Sequence, residues 1–138
     1  MGLFGRKKND KQRTYDLDDK YESLHSRGQY EEAIACCDEV ITLDPENNFA
    51  WLNKGNSSIK LGQYDEAIAC YDEVIRLDPE SHNAWHNKGK ILDSLGKYEE
   101  AIACYDEIIR FWPEFYIAWT NKGKILDSLG KYEEAIAC

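Results

Sequence analysis

The sequence predicts an all-α fold, an α-solenoid of stacked antiparallel helix pairs, because one pattern recurs every 34 residues. Gly28, Gly62, Gly96 and Gly130 mark the period, and a tyrosine and a Glu-Ala-Ile-Ala-Cys run follow each glycine in the same register. Apolar residues recur three and four positions apart in two segments per repeat, as they do in amphipathic helices. A fixed period of this length favours stacked helical hairpins over a compact enzyme core.

Each repeat carries its own helix start and stop signals. Gly62 adopts the left-handed backbone that ends a helix, Asn48 or Ser81 caps the next first helix, and Pro79 ends the second helix. The predicted helices lie near residues 16–27, 30–43, 48–61, 64–77, 82–95, 98–111 and 116–129. After Gly130 we expect the start of one more helix, Tyr132–Cys138, which depends on packing because it is too short to be stable alone.

Several residue types in register resemble the tetratricopeptide repeat. The second repeat shows them as Trp51, Gly55, Leu61, Gly62, Tyr64, Ala67, Tyr71 and Pro79. The resemblance covers residues 14–138, with repeats at about 14–47, 48–81, 82–115 and an incomplete 116–138. It implies about three full repeats plus a truncated fourth, wound into a right-handed superhelix whose inner face is lined by the first helix of each pair.

The departures from the repeat pattern are informative. Leu17 and Tyr21 replace the tryptophan and glycine of the later repeats, as expected of a terminal capping repeat. Lysine occupies the position before the first-helix glycine in the other repeats, and we expect its stem to pack while its ammonium group reaches water. Residues 87–104 and 121–138 are identical in sequence.

The charge distribution separates the N-terminus from the rest of the chain. Residues 1–14 carry a net charge of +4, although the whole chain carries −9. Residues 1–13 are therefore predicted to be a basic, disordered tail, which would contact an anionic membrane only weakly, and residues 14–138 to be the repeat domain. The acidic body argues against nucleic-acid binding, and the absence of a long apolar run argues for a cytoplasmic location.

Cysteine and histidine are the side chains most suggestive of chemistry, yet neither forms a recognisable site. Four of the five cysteines share one repeat position, where we expect small apolar residues of a reduced protein. His82 and His86 are four residues apart on one helix, but a third metal ligand and a catalytic base are not identifiable. The sequence therefore predicts no enzyme activity, no cofactor and no metal, with a hydrolase using this histidine pair as the least favoured alternative.

A partner-binding face follows from the resemblance. The inner face would carry Tyr15, Asp18, Asp19 and Glu22 in the first repeat, and then Phe49, Leu52, Asn53, Asn56, Asn83, His86, Asn87, Lys90, Thr120, Asn121 and Lys124. A row of amides along Asn53, Asn87 and Asn121 could hydrogen-bond an extended peptide backbone, and the alternative is that these amides only meet water. Lys90 and Lys124 would attract an acidic ligand, whereas the acidic first repeat would favour a basic one.

A second candidate surface breaks the repeat pattern at the third turn. Trp112, Phe115 and Tyr116 replace polar loop residues there, and the pattern leaves open whether they form an exposed interface cluster or pack locally.

From the residues and the resemblance together, we predict a non-catalytic adaptor that binds a protein or peptide on its concave face. The alternative is a self-assembling scaffold that stacks through the incomplete fourth repeat as a homo-oligomer and associates with a membrane surface through its basic start.

Overall fold

The computed structural model describes the backbone of residues 3–137 and the side chains of residues 9–131. Within residues 3–137 the chain forms seven helices and no strand. They are α1 (Leu3–Ser26), α2 (Tyr30–Leu43), α3 (Asn48–Lys60), α4 (Tyr64–Leu77), α5 (His82–Ser94), α6 (Tyr98–Phe111) and α7 (Tyr116–Ala137). The all-α prediction is confirmed, and the bounds of α2, α4 and α6 coincide with those predicted from the sequence.

The helices belong to two compact units. One unit spans residues 1–77 and contains α1 to α4, each packed on the next, and the other spans residues 78–138 and contains α5 to α7. Because only a few residues separate successive packed helices, neighbours run antiparallel, as in the predicted helix pairs.

The turn inside each complete pair is closed by the predicted glycine. Gly62 has φ +75°, its N–H donates to the Ile59 carbonyl at 2.9 Å, and the N–H of Gln63 donates to the Ser58 carbonyl at 2.9 Å. These two bonds satisfy carbonyls that the helix end leaves unpaired. Gly28 and Gly96 repeat the arrangement with φ +78° and +77°.

The first helices begin at polar caps. The Ser81 hydroxyl accepts from the Ala84 N–H at 3.4 Å, which confirms the predicted cap of α5. In α3 the prediction of Asn48 is wrong, because Asn47 is the cap and its side chain accepts from the Ala50 N–H at 3.1 Å. Two adjacent asparagines offer the same chemistry, and only the backbone path selects between them.

Close helix packing in each unit rests on a glycine that faces an aromatic ring. A Cβ atom built on Gly55 would lie 2.8 Å from Cε1 of Tyr71, and one built on Gly89 would lie 3.0 Å from Cζ of Tyr105. Both tyrosines are buried in the core beside fully buried alanines of the second helices. Glycine at these positions therefore allows the close approach of α3 to α4 and of α5 to α6.

Helix α1 starts earlier than predicted. It begins at Leu3 rather than near residue 16, so residues 3–13 have helical backbone where the sequence indicated disorder. The segment is rich in Lys, Arg and Gln, which have good helix propensity, and Arg13 forms an ion pair with Glu39 of α2. The boundary between a tail and the repeat domain stays a prediction, and none of the described helices is both long and apolar enough to cross a membrane.

Helix α7 also differs from the prediction. We expected a turn at Gly130, but the helix continues from Tyr116 to Ala137, and Gly130 is not among the glycines with positive φ. The predicted separate helix at Tyr132–Cys138 is therefore wrong over residues 132–137, and Cys138 lies outside the described residues.

The identical segments 87–104 and 121–138 thus adopt different conformations. In the first, residues beyond Cys104 complete α6 and bury Tyr105 and Ile108, which stabilises the reversal at Gly96. In the second segment the backbone instead continues as helix through Gly130 to Ala137. The local sequence alone therefore does not select between the turn and the helix.

Substituting alanine at the two equivalent glycines should give opposite results. Gly96→Ala should lower the free energy of unfolding by about 1 kcal/mol, because alanine is strained at positive φ. Gly130→Ala should raise it by up to about 1 kcal/mol, because alanine favours the helix interior. Urea denaturation of both variants measures the difference. A similar loss of stability in both would contradict the continuous α7.

Candidate functional site

The tryptophans of the first helices are held by a bond that sequence reasoning did not find. The indole Nε1 donates to a proline carbonyl six residues earlier: Trp51 to Pro45 at 2.8 Å, Trp85 to Pro79 at 2.8 Å and Trp119 to Pro113 at 2.9 Å. The constant Pro-to-Trp spacing was the available signal. These bonds orient the start of each first helix relative to the turn before it.

Two of the lysines that precede the first-helix glycines form ion pairs with the preceding second helix. Lys54 pairs with Asp38 of α2 at 2.7 Å, and Lys122 pairs with Asp106 of α6 at 2.6 Å. Burial alone would lower the pKa of Lys54, but the hydrogen bond and charge of Asp38 outweigh it and raise that pKa. Each pair joins the second helix of one repeat to the first helix of the next.

In the first unit, the predicted binding face combines exposed rings and partly buried amides. Tyr15 and Phe49 are exposed, and they line a cleft of about 610 Å³ together with Asp18 and Asp44. Asn53 and Asn56 are half-buried, as is Leu52. The side-chain oxygen of Asn56 accepts from the Tyr71 hydroxyl at 2.6 Å, so part of this amide is used inside the fold.

The carboxyl of Asp18 is influenced by its surroundings. Its pKa is raised by partial burial and then by the charges of Asp19 and Glu22. Three acidic side chains thus concentrate negative potential on α1.

In the second unit, the predicted face is partly exposed. Lys90 of α5 and Lys124 of α7 occupy equivalent repeat positions and are exposed, as are Asn83 and Thr120. His86, Asn87 and Asn121 are half-buried. Burial is the largest cause that raises the pKa of the Tyr105 hydroxyl to about 12. A hydrogen bond between this hydroxyl and Asn121 counteracts part of the rise. The amide of Asn121 therefore has a partner within the fold.

The two histidines of α5 are engaged with aromatic rings. His82 lies 5.3 Å from Phe115 and 6.2 Å from Trp112, and His86 lies 6.1 Å from Tyr105, all between ring centroids. Burial, followed by the charges of Lys90 and His82, lowers the pKa of His86. Among the described side chains, no group of three or more His, Cys, Asp or Glu residues could hold a metal ion.

In the candidate aromatic cluster Trp112 and Tyr116 are exposed and Phe115 is half-buried, and two of the three rings make contacts within the fold. Trp112 donates from Nε1 to the Glu80 carbonyl at 3.2 Å and, like Phe115, contacts His82. These two rings therefore connect the third turn to the start of α5. Tyr116 is 75% exposed and lies outside this contact.

The described cysteines are free and buried, as predicted for small packing residues. Burial, the largest cause, raises the pKa of Cys37 to about 12 and that of Cys70 to about 11. Thiols with such pKa values are poor nucleophiles because little thiolate forms near neutral pH.

A polar network where α1 meets α3 was not predicted. The Tyr21 hydroxyl donates to the Asn53 carbonyl at 3.0 Å, and Nδ1 of His25 lies 2.9 Å from Oγ of the buried Ser57. Burial, and then the charge of Lys60, lowers the pKa of His25. Tyr21 and His25 belong to the first repeat, and Tyr21 stands where later repeats have glycine.

Comparison with known proteins identifies the repeat. A family model described as tetratricopeptide repeat matches residues 22–82, 52–113 and 86–137. A search of curated proteins gave no significant match.

Solved structures of similar fold include three that are informative here. The first such domain of Spaghetti (RPAP3), bound to the HSP90 peptide SRMEEVD, has a TM-score of 0.79 and 24% identity, covering 86% of this chain and 94% of its own. The second domain of human RPAP3, in complex with the HSP70 peptide SGPTIEEVD, has a TM-score of 0.76 and 26% identity, and the match covers 84% of this chain and 97% of that domain. MamA protein has a TM-score of 0.79 and 23% identity, and the match covers 94% of this chain and 71% of the MamA chain.

His25 should make stability depend on pH. Its pKa is lower in the folded protein than the usual value of about 6.5, so the unfolded chain binds more protons between the two values. Stability is therefore expected to fall as pH decreases from 7.5 through this window. His25→Gln should show a shallower decrease, with the remainder coming from His86.

Urea unfolding at pH 7.5 and 5.5 measures both slopes. Equal slopes for the two proteins would rule out a lowered pKa at His25.

Proposed function

This chain belongs to the tetratricopeptide repeat family, and we propose on that premise that it is a non-catalytic adaptor which binds a peptide or partner segment. The proposed binding residues lie on the first helix of each pair, α1 and α3 in the first unit and α5 and α7 in the second. We also propose a cytoplasmic location for it.

Peptide complexes of similar structures support this proposal. The second human RPAP3 domain, 26% identical to this chain, carries a peptide that ends in Glu-Glu-Val-Asp. A domain of this family thus binds a peptide with an acidic end, and this chain has the same type of fold. Whether the same class of peptide binds this chain depends on its own side chains.

The side chains of the second unit favour an acidic ligand. Lys90 and Lys124 are exposed at equivalent positions of α5 and α7, and exposed Asn83 and Thr120 supply neutral hydrogen-bonding groups on the same two helices. Ammonium groups attract carboxylates, and amides can pair with a peptide backbone irrespective of its sequence. The exposed lysine pair is the observation that carries the proposal.

The first unit favours a different chemistry. Partial burial, and then the charges of Asp19 and Glu22, raise the pKa of the Asp18 carboxyl. Exposed Tyr15 and Phe49 line the cleft to which Asp18 contributes. A basic segment with an apolar side chain is the best match to this region. Binding to each unit can therefore be tested with ligands of opposite charge.

Reversing the two lysine charges should weaken an acidic ligand selectively. For the double variant Lys90→Glu and Lys124→Glu, we expect about tenfold weaker binding of the labelled peptide SRMEEVD, because two attractive contacts become repulsive. Fluorescence anisotropy at 0.1 M salt measures the affinity.

The matched control is the double variant Lys60→Glu and Lys97→Glu. It changes the net charge equally at exposed lysines outside the predicted face. It should bind the peptide like the unchanged protein. Equal weakening in both variants would indicate a nonspecific charge effect, and absence of binding by the unchanged protein would refute the acidic-ligand proposal.

A further inference from the structure

The first unit contains a cleft of about 610 Å³ between α1 and the turn that leads into α3. Helix α1 contributes Thr14, Tyr15 and Asp18 to its lining, and the turn and the start of α3 contribute Asp44 and Phe49. We call it the acidic cleft. Its volume lies within the range of about 300 to 1,000 Å³ that is usual for ligand pockets. The cleft is therefore large enough to take a ligand side chain.

The second unit shows which side chains fill the equivalent space. Two repeat periods after Thr14 and Asp44 the chain has His82 and Trp112, whose ring centroids lie 6.2 Å apart. In the first unit the two ring-bearing residues are replaced by a threonine and an aspartate, which are smaller and line the cleft. The acidic cleft is therefore a property of these particular side chains and does not follow from the repeat pattern.

Two aromatic rings of the acidic cleft are available to a ligand. Tyr15 is 56% exposed and Phe49 is 74% exposed. Within the described part of the chain, neither ring stacks on another ring or on a cation. The negative face of an aromatic ring attracts cations, and the planar guanidinium of arginine stacks on it better than a lysine ammonium group does. The rings therefore favour arginine.

The charges of the cleft favour the same class of ligand. Its lining includes the carboxyl groups of Asp10, Asp18 and Asp44 and a single ammonium group, that of Lys11. Among the described side chains, no lysine or arginine forms an ion pair with Asp18 or Asp44. A guanidinium has five N–H donors, so it can pair with a carboxylate while its plane stacks on a ring.

Asp18 gains most from such a cation. Partial burial raises the pKa of its carboxyl, and so do the charges of Asp19 and Glu22. A cation beside the carboxylate would offset both the lost hydration and the repulsion between like charges. A bound arginine would therefore stabilise the ionised form of Asp18.

We propose that the acidic cleft binds an arginine side chain of a partner protein segment. The guanidinium pairs with the carboxylates of Asp18 and Asp44, and its plane packs against the rings of Tyr15 and Phe49. This inference rests on the proposed function, because it names the ligand group that the first unit takes.

The probe for this site is a labelled peptide with the sequence Gly-Leu-Arg-Ser-Arg-Leu-Gly. In the matched control peptide citrulline replaces both arginines, which keeps the shape and removes the charge. The unchanged full chain should bind the arginine peptide at least about tenfold more tightly in fluorescence anisotropy at 0.1 M salt. A third peptide with lysine in place of arginine should bind more weakly than the arginine peptide, because an ammonium group cannot stack as a plane.

Two protein variants separate charge from stacking. Asp18→Asn should weaken binding of the arginine peptide about tenfold. Asp16→Asn is its matched control, since Asp16 is exposed on the same helix and lies outside the cleft lining. Phe49→Leu should weaken the arginine peptide and leave the citrulline peptide unchanged, because it removes a ring but keeps an apolar side chain. Circular dichroism and urea unfolding verify that each variant folds.

A third variant copies the second unit. Thr14→His combined with Asp44→Trp places in the first unit the two side chains that lie against each other in the second. The combined change should fill the cleft and abolish binding of the arginine peptide.

Four results would overturn the inference. They are equal binding of the arginine and citrulline peptides, equal binding of the arginine and lysine peptides, equal weakening by Asp18→Asn and Asp16→Asn, and a dimer of the unchanged chain in sedimentation that Asp18→Asn dissociates. The last result would assign the cleft to a second copy of the chain.

The acidic peptide SRMEEVD, measured on the same samples, separates this inference from the proposed function. If the acidic peptide binds and the arginine peptide does not, the inference fails and the adaptor proposal stands. If neither peptide binds, both fail.

Discussion

The contact between a first-helix glycine and a second-helix tyrosine is the constraint on which the rest of the structure depends. Where Tyr71 covers Gly55 and Tyr105 covers Gly89, the helices approach closely and their alanines and cysteines become buried. The space is too small for any larger side chain, so the glycine and the ring specify each other. At Gly123 no described ring takes this place, and Trp119 and Leu126 of α7 are about half exposed.

Polar pairs add to the apolar contacts between successive repeats within each unit. Lysine and aspartate pairs join α2 to α3 and α6 to α7, and indole hydrogen bonds fix each turn to the helix that follows it. The same periodicity that buries apolar residues therefore also positions the exposed first-helix side chains. Such a scaffold can vary its exposed residues, including Lys90 and Lys124, without altering the residues that pack.

The sequence predicted which residues form the candidate site but not which of their side chains have partners within the fold. It predicted Asn56 and Asn121 to lie on the inner face, whereas their hydrogen bonds to Tyr71 and Tyr105 depend on a helix separation that no local pattern encodes. The sequence likewise indicated only that Trp112 and Phe115 are aromatic residues of a loop. Their contact with His82 joins residues about 30 positions apart in the chain. Long-range pairing of this kind is a tertiary property.

The sequence by itself determined the helix type, the 34-residue register, the three glycine turns and the buried cysteines, because these follow from local backbone preference and hydrophobic periodicity. Tertiary structure decided the rest. Identical residues 87–104 and 121–138 turn at Gly96 but continue as helix through Gly130. A glycine permits either conformation, and at Gly96 the turn is the one that lets Tyr105 of α6 pack its ring over Gly89 of α5, a contact between helices that no local pattern encodes.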